Sequence, residues 1–225
     1  STTYDLRPTI YDLRSTTYSL RSPIPDPSCF AKATQDKRPT APPRGPAPHS
    51  RMKNGVFTIS FDLELAWGIR GRRPLAPFRP YLEGTRTAVD GILALFASYR
   101  IPATWAVVGG MLLGGDTRHP WLRTEGAADI PTGTSDDEPL WYGEDLVEAI
   151  RACDPPQELA CHTLMHRFAT QSGENGAAFR DDLERFLELF ETRGYETPTS
   201  FIFPKAYMAH FDVLADLGFR CYRGP

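Results

Sequence analysis

The sequence has few cysteines, no long hydrophobic run and no excess of either charge, and each absence excludes a class of protein. Its four cysteines show no Cys-x-x-Cys spacing, which excludes a zinc ribbon and a thioredoxin motif and is typical of reduced thiols in a cytoplasmic protein. No run of about 18 apolar residues occurs, so we predict no membrane span, and the N-terminus lacks the apolar stretch of a secretory signal. The 25 Lys and Arg against 28 Asp and Glu exclude a strongly basic nucleic-acid binder.

The first 51 residues differ in composition from the rest. They hold one glycine, no tryptophan and nine of the 21 prolines. Three seven-residue repeats open the segment, and their Tyr and Leu residues are two and five apart, unlike a coiled-coil seam. We predict that residues 1–51 are a disordered tail and that residues 52–225 form one domain. Near-identical repeats also indicate a translated DNA repeat, with Met52 as the true start; a genuine flexible tail is the alternative.

Strand-like and helix-like patterns alternate after Met52. The segments with the β-formers and apolar runs of strands are 56–61, 103–108, 158–161, 200–203 and 219–222. Helical spacing of apolar residues occurs in 88–99, 144–153, 179–190 and 211–217, whereas 74–80 and 114–143 are predicted loops. This alternation predicts an α/β fold of parallel strands with crossover helices, as a barrel or an open sheet. The chemistry is then expected at the carboxyl ends of the strands.

Two acidic residues follow the first predicted strand and two histidines follow the third. The acids are Asp62 and Glu64, and the histidines are His162 and His166. Two imidazoles and a carboxylate with open positions suit zinc and similar divalent ions, and a spare carboxylate supplies the base that hydrolysis needs. The same set also suits a non-haem iron oxygenase, although those sites usually occur on antiparallel jelly rolls.

Three segments resemble, in order, the motifs of the polysaccharide deacetylase (NodB-homology) superfamily: Ser-Phe-Asp-Leu-Glu at 60–64, Pro-Ala-Thr-Trp-Ala-Val-Val-Gly at 102–109 and Glu-Leu-Ala-Cys-His-Thr-Leu-Met-His at 158–166. The resemblance covers residues 55–225. It implies a distorted (β/α) barrel and a metal-dependent hydrolase that removes N-acetyl or related groups from a carbohydrate. By position, Asp62 resembles the catalytic base, and Glu64, His162 and His166 resemble the ligands of a divalent ion such as zinc. Thr163 resembles the residue that contacts acetate or substrate.

The chain departs from the family pattern at several positions. Most relatives have Asp where this chain has Glu64, so Asp62 is the alternative metal ligand. The arginine that usually precedes the third-motif proline by two residues is Ile202 here, and Lys205 is predicted to supply that charge, with an exposed surface lysine as the alternative. The form of this motif resembles a branch associated with surface-polysaccharide gene clusters. Trp67 and Tyr207 are candidates for stacking on a sugar, with core packing as the alternative.

Family members continue beyond the equivalent of residues 223–225, adding strands and a late histidine that acts as general acid. We therefore expect a fragment with an incomplete barrel and an exposed edge strand near 219–222. An inactive or carbohydrate-binding remnant is the corresponding alternative function. His210 is a candidate for the acid, with a surface position as the alternative, and His119 is a candidate for substrate contact.

Overall fold

Five parallel β-strands form one sheet, in the order in which they occur along the chain. The computed structural model describes residues 57–114, 136–170 and 176–224. The strands are β1 (Ser60–Leu63), β2 (Thr104–Val107), β3 (Glu158–Cys161), β4 (Ser200–Ile202) and β5 (Cys221–Arg223). All four neighbouring pairs are parallel, which confirms the prediction from the β/α alternation. The predicted tail 1–51, Met52 and His119 lie outside the described residues.

Helices connect these strands. The helices in the described part of the chain are α1 (Arg79–Glu83), α2 (Thr85–Tyr99), α3 (Glu138–Trp141), α4 (Glu144–Arg151), α5 (Gly176–Thr192) and α6 (Phe211–Asp216). Short 3₁₀ helices follow three of the strands, at Leu65–Ile69, Gly109–Leu112 and Pro204–Ala206. The loop prediction was wrong for α1 and α3, which lie in or overlap the segments 74–80 and 114–143. Both α1 and α3 carry a proline in the first turn, where no backbone N–H is needed.

The first strand begins later than predicted. β1 spans Ser60–Leu63, so Asp62 lies within the strand instead of after it, and Glu64 follows the strand directly. A carboxylate is tolerated inside β1 because Asp62 is on the concave face, where its side chain remains 36% exposed.

The two faces of the sheet pack differently because side chains alternate along each strand. The outer face contributes large apolar residues to the main core against the helices: Leu63, Trp105, Val107, Cys161 and Phe201. The α5 helix covers part of this face with Phe179, Leu183, Phe186 and Phe190, at helical spacing. The inner face carries a separate, small apolar cluster of Ala106, Ala160 and Ile202. Small side chains on the inner face leave room on the concave side of the sheet.

The sheet curls so that its first and last strands approach each other across this concave side. Arg223 of β5 donates hydrogen bonds to Ser60 and Asp62 of β1, although the two strands do not pair within the described residues. Sequential parallel strands with this curl match a partial (β/α) barrel. None of the described helices has the length and apolar character that a membrane span requires. The three described cysteines form no disulfide.

Candidate metal centre and active site

Glu64, His162 and His166 meet at the carboxyl end of the sheet. Glu64 directly follows β1, and His162 directly follows β3. The Glu64 Oε2 atom lies 2.8 Å from His166 Nε2 and 3.6 Å from His162 Nε2. One ligand atom from each of the three residues lies within 4.8 Å of the others. Two imidazoles and one carboxylate therefore converge as a possible N,N,O donor set.

The tautomer of His162 makes this arrangement suited to a cation. His162 Nδ1 lies 2.8 Å from the backbone oxygen of Ile202, and because a carbonyl only accepts, we assign the proton to Nδ1. The Nε2 atom then presents a lone pair toward Glu64. It is fully buried and has no hydrogen-bond partner among the described residues. A buried lone pair facing a carboxylate oxygen fits a metal ligand, and a carbonyl on the opposite ring nitrogen is the usual support for such a ligand.

The pKa values of the site agree with the protonation states that metal ligands need. Burial raises the pKa of Glu64, but the neighbouring imidazoles of His162 and His166 outweigh burial and hold this pKa far below its ordinary value. Burial also lowers the pKa of His166, against the opposing effect of Glu64. An ionised carboxylate beside a neutral imidazole is therefore favoured at neutral pH.

The backbone between the two histidines is held in an unusual conformation. Thr163 and His166 both have positive φ angles, of 66° and 54°, which L-residues rarely adopt. Gly109 N donates to Thr163 O at 3.0 Å, and Gly110 N donates to Leu164 O at 2.7 Å. This approach requires glycine at position 109, because a Cβ there would lie 2.9 Å from a side-chain carbon of Leu164. The loop is thus anchored on the segment that follows β2.

A buried carboxylate, which the sequence analysis missed, completes this anchoring. Asp182 of α5 accepts hydrogen bonds from Leu164 N at 2.6 Å and Met165 N at 3.1 Å. The Thr163 hydroxyl also stabilises the loop, because it accepts a hydrogen bond from the Arg167 N–H at 2.8 Å. Thr163 is fully buried. Its contact with substrate stays a prediction.

Asp62 lies on the concave face two residues before Glu64, and its partner is an arginine. The Arg223 guanidinium donates one hydrogen bond to Asp62 Oδ1 and another to Ser60 Oγ, the latter at 2.9 Å. The charge beside Asp62 therefore comes from β5 and not from Lys205, whose side chain is exposed. Arg223 follows Asp62 by 161 residues, so no local pattern indicated the pair. Asp62 and Glu64 thus have different partners, with Glu64 against the histidines.

Trp67, a candidate for stacking on a sugar, packs in the core, which was the alternative for this residue. Trp67 is fully buried, its Nε1 donates to Trp141 O at 2.8 Å, and the two indole rings meet edge-on at 5.6 Å. Its large apolar ring is used in the core, which leaves no face for a ligand.

Another aromatic pair lies beside the histidines. The ring of Phe168 is 5.5 Å from that of His166 and 5.6 Å from that of Tyr207, measured between centroids. Tyr207 is 56% exposed, so it retains the open surface that Trp67 lacks. His210, by contrast, packs at 5.7 Å against Phe179 in the outer core layer, on the other face of the sheet from Asp62.

Comparison with known proteins gives similarities of fold. No protein-family model and no curated protein matches the sequence. The structure is similar to a protein of Mycobacterium smegmatis assigned to the polysaccharide deacetylases, with a TM-score of 0.47 and 21% identity over 72% of this chain and 48% of that chain. It is also similar to a de-N-acetylase of Aggregatibacter actinomycetemcomitans, with a TM-score of 0.46 and 16% identity over 73% of this chain and 61% of that chain.

A third similar structure is the Streptococcus pyogenes deacetylase PplD in complex with acetate, with a TM-score of 0.40 and 12% identity over 72% of this chain and 53% of that chain. The chain therefore spans about half to six tenths of the length of these three structures. All three are deacetylases by name.

Proposed function

We propose that the protein is a metal-dependent hydrolase that removes N-acetyl or related acyl groups from a carbohydrate. The observation that carries this proposal is the convergence of Glu64, His162 and His166, with the buried Nε2 lone pair of His162 turned toward Glu64. These three residues would hold a divalent ion, for which zinc is the best match to two imidazoles and a carboxylate. The bound ion would supply Lewis-acid polarisation of the amide carbonyl and acidify water.

The remaining steps belong to residues of the chain. Asp62, two residues before Glu64 on the concave face of β1, accepts the proton of the attacking water. Arg223 contacts Asp62 Oδ1 and orients the carboxylate, so that Oδ2 is available for that proton. The amide C–N bond then breaks, and the carboxyl of Asp62 can return its proton to the leaving nitrogen. The products are a free carboxylic acid and an amine.

The sugar is expected on the surface beside His166. The carbohydrate class follows from the resemblance of the three sequence motifs, and the exposed ring of Tyr207 next to Phe168 supports it, because sugar rings pack their apolar faces on aromatic side chains. The exposed Lys205 lies two residues before Tyr207 and is a candidate for contact with substrate hydroxyls.

Acetate release from N-acetylglucosamine oligomers by the full-length chain, with Zn²⁺ or Co²⁺ added, tests the proposal. We expect Asp62→Asn to lower kcat by about a hundredfold or more while Zn²⁺ binding persists, and His166→Ala to abolish both. Asp212→Asn, an exposed acid on α6, is the matched control and should leave both unchanged.

Two other outcomes would overturn the proposal in different ways. Oxygen consumption that depends on Fe²⁺, without acetate release, would identify the oxygenase alternative, although the parallel sheet is unlike the jelly roll on which such sites usually occur. Sugar binding without acetate release under all metal conditions would identify a carbohydrate-binding protein.

A further inference from the structure

Asp182 is a charged residue in a position where the helix pattern calls for an apolar one. It lies three residues after Phe179 and four before Phe186, on the buried face of α5, and is 3% exposed. Both carboxylate oxygens are used: Oδ2 accepts from Leu164 N at 2.6 Å and Oδ1 from Met165 N at 3.1 Å. A helix in the outer layer is thereby tied to the loop that carries both histidines.

Burying this carboxylate is costly. Burial raises the pKa of Asp182 to about 6 in spite of the two N–H donors and the Arg167 guanidinium, whose Nε is 3.6 Å from Oδ1. Well-packed apolar residues usually replace buried charges without loss of stability. Packing of α5 alone therefore does not explain the carboxylate.

The conformation of the loop explains it better. Leu164 and Met165 are the central residues between the two histidines, and their N–H groups point to the same carboxylate. The flanking Thr163 and His166 both adopt positive φ angles, which cost energy and persist only when the surroundings hold them. Two charge-assisted hydrogen bonds to the intervening backbone are such a restraint. His166 then presents Nε2 at 2.8 Å from Glu64.

We propose that Asp182 is a positioning residue for the candidate metal centre: it fixes the backbone between His162 and His166 so that both imidazoles face Glu64 before an ion binds. This inference rests on the proposed metal site but assigns a role to a residue that touches neither the ion nor the substrate. Its loss should weaken metal binding without removing a ligand.

The test is Zn²⁺ affinity of the full-length chain, measured by competition with a chromophoric chelator. In Asp182→Asn the amide oxygen can still accept one N–H, but its NH₂ group faces the other. We expect about ten- to a hundredfold weaker Zn²⁺ binding, the range for lost support of metal ligands. Asp181→Asn is the matched control, because that neighbouring acid is 56% exposed and pairs with Arg185 at 2.9 Å. It should bind Zn²⁺ like the wild type.

A second measurement separates positioning from a general loss of structure. Coupling is reciprocal, so if the two hydrogen bonds prepare the loop for the ion, Zn²⁺ must strengthen them. Amide exchange at Leu164 and Met165 in the wild-type protein should slow when Zn²⁺ is added, while amides in the centre of α2 do not change. This readout needs no variant and holds even if Asp182→Asn fails to fold.

The outcomes are distinguishable. Two results would overturn the inference but not the metal site. One is unchanged Zn²⁺ affinity in folded Asp182→Asn. The other is amide exchange at Leu164 and Met165 that does not slow when the wild type binds Zn²⁺. A wild-type chain that binds no Zn²⁺ would overturn both the inference and the proposed function.

Discussion

Replacement of Asp182 with asparagine is expected to change how the free energy of unfolding depends on pH. Burial raises the pKa of Asp182 from 3.8 to about 6 in the folded protein. Between these two values the folded state holds a proton that the unfolded state has released, so the free energy of unfolding falls as the pH rises. At 1.36 kcal/mol per pKa unit, the fall is about 3 kcal/mol and is complete by about pH 7.

Neighbouring charges shift the pKa of Asp182 in opposite directions. Arg167 lies 3.6 Å away and lowers the pKa, while Asp181 on the same helix raises it. The Cys161 thiol is also close enough to be affected by Asp182, and burial keeps it protonated in this pH range. Burial has the largest effect on the pKa of Asp182, so desolvation determines that this pKa is raised.

The assay is urea unfolding of the metal-free wild type and of Asp182→Asn, followed by circular dichroism between about pH 4 and pH 7. Asparagine does not titrate, and subtraction of the two curves cancels the other carboxylates. The free energy of unfolding of Asp182→Asn, relative to the wild type, should rise by about 3 kcal/mol across this range. For Asp181→Asn the difference should stay nearly flat. A flat or falling difference for Asp182→Asn would refute the argument, since Asp182 would then be ionised in the folded state without cost.

Three further changes have expected outcomes. Arg223→Ala should lower kcat about ten- to a hundredfold because Asp62 loses its orientation, and millimolar guanidinium should partly restore it. Since Asp62 is 36% exposed, the free energy of unfolding should change by less than about 1 kcal/mol. An unaltered kcat would contradict the role assigned to Arg223. Trp67→Phe should cost about 2 kcal/mol in thermal or urea unfolding, because Trp141 O loses its buried donor, and should leave KM unchanged in the folded enzyme. Tyr207→Ala should raise KM severalfold for the sugar oligomer with no loss of stability, and an unchanged KM would exclude stacking there.

Local sequence patterns were sufficient to predict the sheet and the convergence of the candidate metal ligands. The apolar run 103–108, closed by two glycines, predicted a buried parallel strand, and β2 occupies its centre, at Thr104–Val107. Glu64 and His162 each directly follow a strand, and parallel strands bring such positions to one edge. These predictions succeeded because each depends on a few adjacent residues and on one topological rule.

The missed residues depend on contacts between distant segments. Arg223 followed the predicted strand 219–222 without a notable pattern of its own, and only the curl of the sheet brings it to Asp62. Asp182 did leave a signal, since an acid occupied the apolar face defined by Phe179 and Phe186, but the partners of a buried acid cannot be derived from helical spacing. The two uses of Trp67 stayed open because a tryptophan near a candidate site can pack in the core or contact ligand with the same local sequence.

The separation of 161 residues between Asp62 and Arg223 affects the order in which the site forms during synthesis. The candidate metal ligands and the two residues that position their loop and imidazole, Asp182 and Ile202, all precede β5, whereas Arg223, the partner of the proposed base, is synthesised only with β5. If the protein binds an ion as proposed, a nascent chain could therefore bind it before the base is oriented. Because contacts of such long sequence separation form slowly, we expect the ability to bind metal to precede the ability to hydrolyse substrate during refolding as well.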